Sequence, residues 1–316
     1  MSKDKNKGGF KTQIGGQALI EGVMMRGPKV QAMAVRLPNG EIDLEQWNLK
    51  PARWYNKVPF IRGPFNFVGS MVSGYKCLTK SADKSTQGVE EEPTSKFEKW
   101  LTDKLGDKLM AIVMVIASVL GVALALGLFI WVPALITKGL SMLVPLNDLV
   151  KNIIEGVIKM TVFICYIALT ALLKDIRRTY EYHGAEHKTI ACYEAGEELT
   201  VENVKKHRRF HPRCGTSFMF LVLFISIIVT SVFQVPWDIL WLRVLLKLCI
   251  LPVIVSVAYE IIKLAGRYDN ILTKIVSAPG LWIQRLTTRE PDESEIECAI
   301  AAFMPCIPEE KGSDRW

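Results

Sequence analysis

The chain has 316 residues, half of them apolar, with a formal net charge of +7 and seven cysteines at irregular spacing. The apolar residues are unevenly spread: 1–108 and 265–316 are mixed and charged, while 109–264 hold long apolar runs around one basic segment. This excludes an ordinary soluble domain and a paired-disulfide framework, and it assigns the positive charge to anionic lipid headgroups, so no specific nucleic-acid recognition is expected.

The N-terminus, MSKDKNKGGFK, is basic, and no apolar run follows it. No cleavable signal is therefore expected, and insertion would rest on internal helices. Residues 10–50 read as β structure. Gln31–Leu37 and Glu41–Leu49 partly alternate, and Pro38-Asn39-Gly40 between them marks a hairpin. Upstream, GGQALIEGVMMRGP (Gly15 to Pro28) has four Gly and a closing Pro, the composition of tight turns and close backbone approach. It lacks the Gly-Lys-Ser/Thr ending of a phosphate loop. Its only charged side chains, Glu21 and Arg26, read as an ion pair at a strand edge.

Residues 59–80 mix Phe, Val and Met with Gly and end in Lys76 and Lys80. They read as a helix lying in the membrane interface, with a core helix of the soluble part as the alternative. Residues 81–95 are polar and read as a linker that leads, by 108, into a pre-membrane helix. Four spans follow: Leu109–Thr137, Asn152–Leu173, Ser217–Val235 and Ile239–Leu264. The connector 174–216 carries nine Lys/Arg, against two in 138–151 and none in the turn Gln234–Asp238. The positive-inside rule places 174–216 and both termini in the cytoplasm. Glu155, Lys159, Arg243 and Lys247 then sit toward the outer helix ends, where snorkelling to the interface is the expectation and a polar pathway between helices the alternative. No span has a charge at its centre, which speaks against a transporter or proton pump.

The connector 174–216 carries the chemistry. All four histidines fall between 183 and 211. His183-Gly-Ala-Glu186-His187 on a helix would turn two imidazoles to one side, four residues apart, with Glu186 beside them as a catalytic base and Glu194 two turns on. Gly196 is a natural helix stop, and Thr200 an N-cap for a short helix. His211-Pro-Arg-Cys214-Gly resembles half of a zinc knuckle. Together His183, His187, His211 and Cys214 form a tetrahedral ligand set for zinc or another divalent transition metal, with Cys192 as a spare. The plainer reading pairs the histidines with lipid phosphates or with Glu181, Glu186 and Glu194. Farther on, Ser277–Pro291 reads as an interfacial helix starting at Pro279, and Asp292–Phe303 as a second short helix.

The organisation expected is thus an α-helical integral membrane protein of about four transmembrane helices. A small β-containing cytoplasmic domain with an interfacial helix occupies 1–80 and a linker 81–108. Helix pairs at 109–173 and 217–264 flank the 174–216 loop, and cytoplasmic interfacial helices close the chain at 265–316.

Three stretches, GGQALIEGVMMRGP, YHGAEHKTIACYEAGEELTVENVKKHRRFHPRCGTSF and PGLWIQRLTTREP, resemble the YqhQ-like family of bacterial membrane proteins, a domain of unknown function. The resemblance covers nearly the whole chain. It implies a multi-span protein of the bacterial cytoplasmic (inner) membrane, in a family commonly described as candidate metal-dependent enzymes. Two functions are expected. One is a metal-dependent hydrolase acting on a lipid or membrane peptide. The other is a non-enzymatic biogenesis or scaffold factor that associates with the protein-export channel or the ribosome. The missing nucleotide loop and Gly-x-Ser-x-Gly elbow speak against an ATPase and a serine hydrolase.

Overall fold

The computed structural model describes residues 10–87, 107–233, 236–268, 270–310 and 312–315. Four strands open the chain: β1 Gly15–Leu19, β2 Gly22–Arg26, β3 Val30–Arg36 and β4 Ile42–Asn48. They form one antiparallel sheet in chain order, with Leu19 opposite Gly22, Val23 opposite Ala34 and Met33 opposite Glu45. The β1–β2 turn holds Glu21 in the left-handed region, at φ 51°. Glu21 pairs with Arg178, not with Arg26 as its sequence neighbourhood suggested. Arg26 ends its strand exposed, out of line with the turn.

The helices are α1 Arg62–Ser85, α2 Asp107–Leu126, α3 Val132–Leu143, α4 Asp148–Thr170, α5 Lys174–Glu194, α6 Val201–Lys206, α7 Gly215–Val232, α8 Leu240–Arg267, α9 Ile271–Thr287 and α10 Glu293–Phe303. Four stretches are long and apolar enough to cross a membrane: Val115–Leu143, Asp148–Thr170, Gly215–Val232 and Leu240–Arg267. Their number matches the sequence reading. The first runs on to Leu143, six residues beyond the expected end, through a π turn at Gly127–Trp131 and past Pro133. Residues 81–85 belong to α1, and the linker expected beyond them falls at 88–106, outside the described residues.

The chain divides into two compact units, one of residues 1–87, 164–226 and 250–316, the other of 88–163 and 227–249. In the first, strand alternation sends side chains to both faces of the sheet. Leu19, Met24, Met33 and Val35 pack with Cys77 of α1. Val23, Met25, Ala32 and Ala34 pack on the other side with Tyr182, Ala185 and Ile190 of α5 and Ile296, Ala299 and Phe303 of α10. The sheet is thus sandwiched between α1 and the α5–α10 pair, and β3 is buried along most of its length. Asp292 and Glu295 start α10 with a capping box. Asn270 starts α9 with another, nine residues before Pro279. Pro279 therefore lies inside the helix rather than at its start; the Asn270 cap sets the beginning.

In the second unit, the expectation of snorkelling is overturned. Arg243 is 0%, Glu155 2% and Lys247 8% exposed. Arg243 donates to Glu155 and to Asn152, each at 2.6 Å, Lys247 pairs with the other Glu155 oxygen, and the Arg243 guanidinium lies 3.5 Å from the centre of the Trp237 ring. One carboxylate holding two cations satisfies groups that an apolar medium cannot solvate, which favours mutual burial over reaching outward. Glu155→Ala should therefore leave two buried cations without their anion. It should cost about 3–5 kcal/mol, read as a lower unfolding midpoint in detergent, and wild-type stability would mean that the cluster is hydrated.

Candidate metal centre

Helix α5 is polar in sequence yet buried along its second half, at Tyr182, from Gly184 through Ile190 and again at Cys192, with His183 half-buried. It ends at Gly196, φ 73°, and Thr200 caps α6 by accepting from the Asn203 amide. The chain then turns through His211–Cys214 into α7. Gln284, fully buried on α9, grips this turn: its Oε1 accepts from the His211 amide at 2.8 Å and its Nε2 donates to the His211 carbonyl at 2.6 Å.

Three of the four expected ligands come together. The ligand atoms of His183, His187 and Cys214 lie within 4.8 Å of one another. His183 Nδ1 meets the Thr287 carbonyl at 2.8 Å, and His187 Nδ1 meets the Arg209 carbonyl at 2.6 Å. A carbonyl only accepts, so both Nδ1 atoms carry their protons and both Nε2 atoms face inward. This is how the outer partner of a metal-binding histidine fixes its tautomer. His183 Nε2 lies 3.1 Å from the Cys214 sulfur, which also contacts Thr216 Oγ1 at 3.2 Å. His187 Nε2 is buried and has no hydrogen-bond partner.

His211 stands beside this group and does not join it. Its ring centre is 5.5 Å from that of His187, and its Nε2 contacts the Arg213 guanidinium at 3.0 Å. Arg213 is paired with Glu194, whose other oxygen is 3.9 Å from His211 Nε2. Cys192 falls in a separate grouping with Glu197 and His207.

Glu186 is buried with Oε2 unpartnered, and its carboxylate accepts from the Gly16 amide. It lines a cavity of about 350 Å³ together with His187, His211, Cys214, Arg213 and the β1 residues Gly15 and Gly16. A Cβ on Gly16 would stand 3.0 Å from the Glu186 carboxyl carbon and 2.6 Å from the Met24 carbonyl. Gly16 of the first motif is what lets the hairpin approach the histidine helix this closely.

Burial works against charge here, and neighbours decide the outcome. Burial pushes the His183 imidazole down, but the Cys214 sulfur outweighs it and lifts the group to about 9. Burial raises the Cys214 thiol, yet His183 and His187 hold it well below its ordinary range. Burial lifts the Glu186 carboxyl against the pull of His187 and His183. Burial and the Arg213 charge keep His211 neutral. The chemistry of the set fits a borderline-soft cation: two imidazoles with their outer nitrogens anchored, a low-lying thiol, and an orphaned lone pair aimed at the same point.

Gln284, the Thr287 and Arg209 carbonyls and the Gly16 amide escaped sequence reasoning. Gln284 and Thr287 lie in the third recognisable stretch, Ser277–Pro291, where an amide amid an apolar helix was the available signal.

The chain matches the model of the family described as "Protein of unknown function (DUF1385)" over residues 58–309. It is 33% identical over 293 residues to a protein of Bacillus subtilis (strain 168) described as "Uncharacterized protein YqhQ", an alignment that covers 92% of this chain and 90% of that one. No solved structure matches it.

The packing behind the centre is tight. A Cβ at Gly184 would fall 2.0 Å from the Arg289 carbonyl, which lies in backbone that cannot retreat without moving Thr287. Gly184→Ala should cost about 1–3 kcal/mol and lower the thermal midpoint in detergent. A midpoint equal to wild type would contradict this contact.

Proposed function

The chain belongs to the DUF1385 family of unknown function, and from its polar pocket we propose that it is a metal-dependent hydrolase of the bacterial inner membrane, acting from the cytoplasmic side on a lipid or membrane peptide. The observation that carries this reading is the convergence of His183, His187 and Cys214, two of which, His187 and Cys214, line one cavity with Glu186. Three protein donors with a fourth direction open is the arrangement of catalytic zinc sites, whereas a structural site closes all four.

A zinc-class cation, when bound, would supply a Lewis acid and an activated water. The chain's own residues do the rest. The Thr287 and Arg209 carbonyls hold the two imidazoles in one tautomer. Glu186, beside the Gly16 amide and with Oε2 unpartnered, is placed to take and return a proton. A nearby cation would favour its ionised form. The cytoplasmic placement rests on the nine Lys/Arg of 174–216.

The scaffold reading, with the export channel or ribosome as partner, draws on that same basic segment. Much of its charge is already engaged within the chain: Arg178 with Glu21, Lys188 and Arg209 with Glu290, Lys205 with Glu293, and Arg213 with Glu194. This leaves less of it for an acidic or nucleic-acid partner, and the enzyme reading has the better support.

Elemental analysis of the purified chain should find about one zinc-class ion per chain, lost in His187→Ala and Cys214→Ser. Glu186→Gln should keep the ion while lowering turnover of a responsive lipid or peptide substrate by about 10²–10⁴-fold. Metal-free wild type, isolated without chelator, would overturn the reading.

A further inference from the structure

Helix α1 buries one side on the sheet and leaves the other bare. Ile61, Phe65, Val68, Val72 and Tyr75 follow at three- and four-residue steps, and each is 40–57% exposed. That spacing makes one continuous apolar stripe. Beside it opens a largely apolar cavity of about 500 Å³, bounded by Trp47 of β4, by Val72, Ser73 and Cys77 of α1, and by Lys76 and Lys80. Its size is that of a small-molecule pocket, about 300–1,000 Å³. Ser73 lines this cavity and the Glu186 cavity alike, with Ser70 also on the polar side. An apolar groove therefore abuts the polar pocket along a single helix face.

The charges suit an anion. Lys80 lies over the Trp47 ring and pairs with Glu45. Lys76 in the groove and Arg26 in the polar cavity have no ion-pair partner among the described residues. An apolar stripe flanked by lysines is the pattern of a helix seated at an anionic bilayer surface. An apolar groove that shares Ser73 with a polar pocket fits a molecule with one apolar and one polar end.

We propose that the groove beside α1 holds an acyl chain of an anionic phospholipid whose headgroup enters the Glu186/His187/Cys214 cavity past Ser73. The inference rests on the proposed function and deepens it by naming the substrate class. Gly69 offers a clean test, because a Cβ there meets no atom within 4 Å and a larger side chain would fill the groove without disturbing the sheet.

The full chain is reconstituted in phosphatidylcholine nanodiscs doped with phosphatidylglycerol carrying a diazirine in one acyl chain, and labelled peptides are mapped after illumination. Labelling should concentrate on α1 around Val72 and on the strand bearing Trp47. Gly69→Phe should reduce it there about ten-fold while labelling of the apolar spans stays unchanged. Lys76→Glu should lower labelling by the phosphatidylglycerol probe and not by a phosphatidylcholine probe with the same acyl chain. Groove labelling that is indifferent to Gly69→Phe, equal for both headgroups, or displaced by an apolar peptide and not by unlabelled phosphatidylglycerol overturns the proposal. Metal content of the same samples separates the two readings: metal without groove labelling sinks the lipid groove alone, and groove labelling without metal keeps the groove and sinks the metal centre.

Discussion

The unit that contains the sheet depends on the burial of a polar helix. α5 carries a histidine, a glutamate, a lysine and a threonine on a buried segment, with a second histidine, His183, half-buried beside them. Each polar atom must find a partner there or cost the free energy of a lost hydrogen bond, about 1–3 kcal/mol. The surrounding elements are arranged around that demand. Thr189 turns back to the Ala185 carbonyl at 2.8 Å, Lys188 reaches the Lys205 carbonyl and Glu290, and the two Nδ1 atoms reach the backbone at the end of α9 and past α6. On α5 the buried atoms without a partner among the described residues are His187 Nε2 and Glu186 Oε2, residues that line one cavity with Cys214.

The approach of three remote stretches follows from the same demand. The β1–β2 hairpin supplies the Gly16 amide to Glu186. The end of α9 supplies the Thr287 carbonyl, and the strand-like segment after it passes Gly184 closely enough to exclude a methyl group. Gln284 then fixes the turn that bears Cys214. These stretches coincide with the three singled out in the sequence, and the structure gives each a physical task at one centre.

What was legible in the sequence was local. Uninterrupted apolar runs marked four candidate spans, Pro38-Asn39-Gly40 marked a hairpin, and the four-residue spacing of His183 and His187 put both on one face of a helix that is there. Long-range choices of partner were not legible. His211 and Cys214 look equivalent in sequence, yet the His211 ring turns toward Arg213 while the Cys214 sulfur turns toward His183. Glu21 had Arg26 close in sequence and chose Arg178. Glu155 had Lys159 one turn away and bonds instead to Arg243 and Lys247 of another helix. In each case the winning partner was set by tertiary packing, which no single-segment pattern contains.

The most direct test of the metal centre is X-ray absorption at the edge of the bound metal in the purified chain. The account predicts one sulfur at about 2.3 Å with imidazole nitrogens at about 2.0 Å and a further light ligand for a zinc ion, and loss of the sulfur shell in Cys214→Ser. A sulfur-free shell, a shell of several sulfurs, or a spectrum unchanged in Cys214→Ser would contradict it.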